Sequence, residues 1–254
     1  MKRGINTKCL HLEDEEGCFD NYGSLSYPIY QTATYAHPAV GESTGYDYSR
    51  LQNPTREHLE KIVAALEDGI DAIALSSGMA AITLLMEIFK PGDHVIVDSD
   101  LYGGSIRLFS NVSEKNNITF SRVDCHKEKV EDYITENTKA IYIETPTNPM
   151  MNVTDIEAMA KIAHERGLLL IVDNTFMSPY FQNPLKLGAD IVIHSGTKYL
   201  GGHNDTLAGF LVTNREDVAE KLRFLIKTVG SGLAEGTKDR GKSNLSGTER
   251  TSGL

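Results

Sequence analysis

The stretch "KAIYIETPTNPMMNVTDIEAMAKIAHERGLLLIVDNT", Lys139 to Thr175, decides the fold. It opens on one apolar strand, "KAIYIET", and closes on another, "LLLIVDNT". Between them "DIEAMAKIAHERG" reads as a helix, with Asp155 near its start and Gly167 just past its end. A strand, a helix and a second strand in this order form the unit of a parallel sheet, because the helix carries the chain back before the second strand begins.

The same alternation runs outward in both directions. Upstream, a helix spans about Pro54 to Glu67, with Leu59, Ile62, Val63 and Leu66 on one face. Strand "DAIALSSG" then leads into helix "MAAITLLMEIF", strand "HVIVDSD" into helix "SIRLFSNVSEKN", and strand "ITFSRVD" into a helix over Lys129 to Ile134. Downstream come strands "DIVIHSG" and "AGFLVTN" and a last helix, "REDVAEKLRFLIKTVG". Strands that are apolar throughout and alternate with helices indicate an α/β fold, a mostly parallel sheet with helices on both faces. The first fifty or so residues are irregular and rich in Tyr, Gly, Ser and Thr, as in an extended arm. Residues 231–254 offer only four apolar side chains, too little surface to offset ordering entropy, and read as a disordered polar tail.

Composition narrows the function. The chain has 254 residues, 40% hydrophobic and 24% charged, enough for one large domain with a sizeable core. A net charge of −10 argues against nucleic acid or an anionic membrane as the main partner. Cys9, Cys18 and Cys125 form no CxxC pair, which disfavours a disulfide framework or a zinc knuckle, and no metal is expected. The N-terminus lacks the apolar core of a signal peptide, and no apolar run is long enough to span a bilayer, so the cytoplasm is the expected compartment.

Ligands of such sheets bind at the carboxyl ends of the strands, so those residues carry the functional reading. "SSGMAA", with Gly78 and Met79, is either a tight strand-to-helix turn or a seat for an anion on free N–H groups. No GxGxxG or GxxxxGK[ST] is present, which disfavours a dinucleotide or P-loop nucleotide. Asp173 ends the most apolar strand, as a turn residue or as the partner of a cationic ring nitrogen. Lys198 follows the next strand, as a solvated loop residue or a reactive amine, with the hydroxyls of Ser195 and Thr197 beside it. Tyr102, at another strand end, is a rim aromatic or a stacking ring. One ligand uses all of these together. Pyridoxal 5'-phosphate (PLP) needs a lysine amine, a carboxylate at its pyridine nitrogen and a phosphate cup.

Six motifs stand in order along the chain: "YDYSRLQNPTR", "SSGMAA", "DLYGGS", "IYIETPTNP", "IVDNTF" and "HSGTKYLGGH". With them the chain, from roughly Thr7 to Gly232, closely resembles the cysteine and methionine metabolism family of fold-type I PLP-dependent transferases and lyases. That family includes cystathionine γ-synthase, cystathionine γ-lyase, cystathionine β-lyase, methionine γ-lyase and O-acylhomoserine sulfhydrylases. The resemblance implies that Lys198 holds PLP as the internal aldimine and moves protons, while Asp173 pairs with the ring nitrogen. It implies that Gly78 and Met79 give N–H groups to the phosphate, with Ser195 and Thr197 adding hydroxyls. Tyr102 would stack on the ring and take part in proton transfer. Thr175 would lie near the ring's other face and Asn148 near its 3-hydroxyl. Tyr48 and Arg50 would reach the phosphate of a neighbouring subunit in a homodimer or tetramer.

The resemblance also implies the organisation and the reaction. Residues 1–53 would form an arm onto the neighbour and residues 54–230 the large PLP-binding domain. From Glu235 the resemblance stops, and the tail of 231–254 is expected to stand in place of the family's smaller C-terminal domain, which supplies the arginine for the substrate carboxylate. Methionine γ-lyases carry a cysteine two residues after the stacking tyrosine. Here Gly104 stands there, which points to the cystathionine γ-lyase and γ-synthase branches. The expected activity is γ-elimination of cystathionine or related sulfur amino acids. The alternatives are γ-replacement of the synthase and sulfhydrylase type, or a remnant that binds PLP with little turnover.

Overall fold

The computed structural model describes residues 4–10 and 26–234. Cys18 and residues 235–254, read above from the sequence, therefore fall outside the described residues.

Seven strands form one sheet: β1 (Asp71–Leu75), β2 (His94–Asp98), β3 (Thr119–Val123), β4 (Thr138–Glu144), β5 (Leu169–Asp173), β6 (Ile191–His194) and β7 (Gly209–Thr213). Their order across the sheet is β1-β7-β6-β5-β4-β2-β3. β3, β2, β4, β5 and β6 pair in parallel. β7 runs antiparallel to both neighbours. No helix lies between β6 and β7, so the segment 195–208 turns the chain back at the same edge of the sheet.

The strands are apolar throughout because both faces are covered. On one face Ile141, Ile143, Leu170, Val172 and Val192 pack with Leu59, Ile62 and Val63 of α2 (Pro54–Glu67) and with α5 (Ile156–Glu165). (α1, Ile5–Leu10, packs on α2.) On the other face Tyr142, Ile171, Ile191 and Ile193 pack with Leu84 and Leu85 of α3 (Gly78–Met86), with Phe109 after α4 (Gly103–Leu108), and with Leu222 and Ile226 of α7 (Glu216–Val229). A four-residue α6 (Ser178–Phe181) follows β5.

Local chemistry sets the helix ends. Asn53 caps α2, its side chain accepting the Thr55 N–H at 2.9 Å, and Pro54 fills the first turn. Asp155 caps α5 in the same way, accepting the Ala158 N–H at 3.1 Å. Arg223 ties α7 to β1 and α2 by bonding both oxygens of Asp71 and one of Glu60. The cavity of about 250 Å³ beside these charges lies at the start of β1, at the opposite edge from the strand ends.

The structure corrects several local readings. Residues 5–10 of the supposedly irregular arm form α1, held to α2 by Lys8 on the Ala65 carbonyl at 3.3 Å. The helix read over Ser105 to Asn116 is α-helical only to Leu108. It widens to a π turn at Phe109–Ser113 and tightens to a 3-10 turn at Glu114–Asn116. The wider turn coincides with burial of Phe109, whose ring stacks on Phe120 at 4.9 Å. The helix over Lys129 to Ile134 is one 3-10 turn, Val130–Tyr133, because a single buried side chain anchors too little to propagate it. Residues 231–234 of the expected tail lie against the sheet. Ser231 accepts the Ser76 N–H at 2.9 Å, Leu233 donates to Ala74 at 3.2 Å, and Leu233 is buried. These residues cover the open edge of β1, where unpaired backbone groups need partners.

Candidate active site

The carboxyl ends of β1, β2, β4, β5 and β6 share one edge of the sheet, which also receives the start of β7. β2 and β4 are neighbours whose onward connections leave in opposite directions, so the switch point of the sheet lies between them. Tyr102 follows β2 and Glu144 ends β4, on either side of that crevice.

Two loops meet at the β1 and β6 ends. Ser77 caps α3 by accepting the Ala80 N–H at 3.1 Å. Gly78 and Met79 open that helix, where N–H groups have no intrahelical acceptor. A Cβ on Gly78 would lie 2.8 Å from the Ser195 Cβ, so only glycine lets the two loops approach this closely. The Ser195 N–H donates to the Thr175 hydroxyl at 2.8 Å, which joins the β5 end to the same cradle. The Thr197 hydroxyl is engaged elsewhere, donating to the Ala208 carbonyl at 3.3 Å and accepting its N–H at 3.2 Å. It must rotate before it can donate to a ligand.

Lys198 lies on the turn after β6, its main chain held by Ser195 and Gly202. Its amine is exposed and has no hydrogen-bond or ion-pair partner among the described residues. Asp173 is 7% exposed and accepts the Thr175 N–H at 3.0 Å. Directly across from it on β4 stands Glu144, 6% exposed. Burial drives both above the usual carboxylate range, Glu144 to about 8 with the Asp173 carboxylate alongside adding to its rise. The same surroundings push the phenol of fully buried Tyr142 upward. Asp98, at the β2 end, is raised to about 6 by burial. The strand ends thus gather buried carboxyl groups whose charged form the fold disfavours.

Sequence reasoning gave Glu144 no role and missed the support beneath the β5 and β6 ends. Glu67, fully buried at the end of α2, meets His194 Nε2 at 2.5 Å and accepts from Asn174 at 2.8 Å. Polar residues closing strands as apolar as "IYIE" and "IVIH" are the signal that could have found them. Asn148 is exposed on a loop pinned by the Asp100 carboxylate, which accepts from the Thr147 hydroxyl and from the Met150 N–H at 3.0 Å. Tyr48 and Arg50 lie on the arm, with the Arg50 guanidinium 5.4 Å from the Tyr48 ring and donating to the Lys227 carbonyl. No described contact joins either of them to Asp173 or Lys198.

These features fit PLP. An unpartnered lysine amine, a buried carboxylate short of a cation and a glycine cradle beside a serine hydroxyl are what its aldehyde, ring nitrogen and phosphate need. A mostly parallel α/β sheet with this set at its strand ends defines the class, the fold-type I PLP-dependent enzymes. Within it, the sequence profile of the Cys/Met metabolism PLP-dependent enzymes matches residues 6–237, and the chain belongs to that family.

Relatives agree. A cystathionine γ-synthase/O-acetylhomoserine (thiol)-lyase of Bacillus subtilis is 55% identical over 92% of this chain and 62% of its own length. A cystathionine γ-lyase of the same organism is 53% identical over 83% of this chain and 56% of its own. The crystal structure of a cystathionine γ-lyase from Lactobacillus plantarum, complexed with L-serine, superposes with a TM-score of 0.93 at 42% identity, over 98% of this chain and 65% of that one. The chain thus spans about three fifths of the length of these relatives.

Proposed function

We propose that the chain binds PLP on Lys198 and breaks the bond between sulfur and the γ-carbon of cystathionine or a related sulfur amino acid. The observation that carries this reading is the meeting of Gly78, Ser195 and Thr175 beside buried Asp173, with the free Lys198 amine on the same turn. Bound there, PLP supplies an electron sink for the pair released at the substrate's α-carbon. Asp173 holds the charge that keeps the ring nitrogen protonated. Gly78, Met79 and Ser195 hold the phosphate, with Thr197 turning to join them. Lys198 Nζ takes the proton from the α-carbon and returns one further along the substrate. Tyr102 covers the ring, Thr175 supports its other face, and Asn148 faces the 3-hydroxyl. In γ-elimination the carbon–sulfur bond breaks, cysteine leaves, and water converts the four-carbon remainder to 2-oxobutanoate and ammonia.

A second reading, γ-replacement, is favoured by the B. subtilis relative named as a synthase and thiol-lyase. Incubation with PLP and cystathionine separates the two. Release of 2-oxobutanoate supports elimination, and cystathionine made from an O-acylhomoserine and cysteine supports replacement. Bound PLP with neither product supports the non-catalytic reading.

Tyr48 and Arg50 complete the phosphate site of a second copy in a homodimer or tetramer, and the compartment is the cytoplasm. Among the described residues no helix is long and apolar enough to cross a membrane. Gly78→Ala tests the cradle. The added methyl must displace Ser195, and PLP affinity, read by titration of the visible absorption, is expected to fall about tenfold. Unchanged affinity would place the phosphate elsewhere.

A further inference from the structure

We propose that Glu144 is a positioning residue, holding the main chain of Tyr102 so that the tyrosine ring keeps its place over the cofactor. Its Oε2 accepts the Tyr102 N–H at 2.9 Å. Few surfaces are less suited to a lone carboxylate. Glu144 is buried, Asp173 stands directly across on β5, and Asp98 and Asp100 add their negative charge from the β2 end. A carboxyl group kept in such company needs a task, and reach with an accepting oxygen, rather than charge, is what this one supplies.

The geometry supplies that task. Tyr102 is 46% exposed, so packing alone does not fix it. Its ring lies over Gly104, where a Cβ would come within 2.4 Å of Tyr102 Cε1 and 2.8 Å of the Met79 sulfur. Glycine at 104 and Met79 therefore shape the seat of the ring, and Glu144 fixes the backbone from which the ring swings. Because Glu144 and Asp173 are register partners on rigid neighbouring strands, one rigid frame sets both the ring's cover and its nitrogen contact.

This inference rests on the reading of Asp173, Lys198 and Tyr102 as a PLP site. Two variants test it, each keeping half of what Glu144 offers. Glu144→Asp keeps the charge but falls about 1.5 Å short of the Tyr102 N–H. Glu144→Gln keeps the reach and the accepting oxygen but not the charge. The full chain is loaded with PLP, and cofactor affinity and the visible circular dichroism of the bound cofactor are measured with the melting temperature. Glu144→Asp is expected to weaken PLP about tenfold, the loss of one hydrogen bond, and to alter the dichroism. Glu144→Gln should keep the dichroism and stay within about threefold in affinity. The proposal is overturned if both variants change alike, or if only the melting temperature moves. Borohydride reduction of the wild type separates the underlying reading. Without label on Lys198 the PLP site itself fails, and this proposal fails with it.

Discussion

Lys198→Ala is expected to leave at most about one ten-thousandth of wild-type turnover, the full contribution of a positioned proton carrier. The loss follows from where the side chain sits. Asp173 and Glu144 are too deeply buried to serve as mobile bases, and Tyr102 is tied at its backbone. The amine of Lys198 is exposed and unpartnered on the turn after β6, which leaves it free to move as the proposed proton carrier must. The variant should still bind PLP, because Gly78, Ser195 and Asp173 remain. The checks are the rate of 2-oxobutanoate release and peptide mapping after borohydride reduction. Wild-type protein should carry the label on residue 198, and the variant should carry none there. Turnover within tenfold of wild type would remove Lys198 from the chemistry.

Asp173 stood out in the sequence because it ends an apolar strand, and Lys198 because it follows the next one, at the edge where α/β sheets gather ligands. The sheet itself was legible for a related reason. Strands such as "LLIVD" and "IVIH" are covered on both faces, so they read as unbroken apolar runs. Pairing was not legible. The partner of Asp173 across the sheet is Glu144, and that depends on strand order and register, which no local pattern encodes. The same limit hid the direction of β7 and the pairing of Gly232 with Leu75. The arm's α1 was hidden differently. Its six residues are too few to show a helical period, and contact with α2 holds them.

Asp173→Asn should cost about a thousandfold in turnover while making the cofactor-free protein more stable. The first effect is loss of the charge that keeps the ring nitrogen protonated, comparable to breaking a buried ion pair. The second follows from the pair it leaves behind. In the cofactor-free fold Asp173 and Glu144 face each other with Asp98 and Asp100 nearby, and burial raises both members of the pair. Asparagine keeps an oxygen for the Thr175 N–H and removes one of the two charges, a gain of about 1–2 kcal/mol, or several degrees in melting temperature. The sign with pH is fixed. An acid raised in the folded state binds more protons there than in the unfolded chain, so stability falls as pH rises. For Glu144 that loss runs from the ordinary value of 4.5 up to about 8. Thermal melts of the cofactor-free protein across this window should slope downward in the wild type and flatten in Asp173→Asn. PLP should flatten the wild-type slope as well, since a protonated ring nitrogen brings the positive charge that the two carboxylates lack. Equal slopes with and without PLP would mean that the ring nitrogen does not meet Asp173. The acidic crevice should then be unfavourable when empty and favourable when filled, tying the stability of the sheet's carboxyl edge to the charge of its ligand.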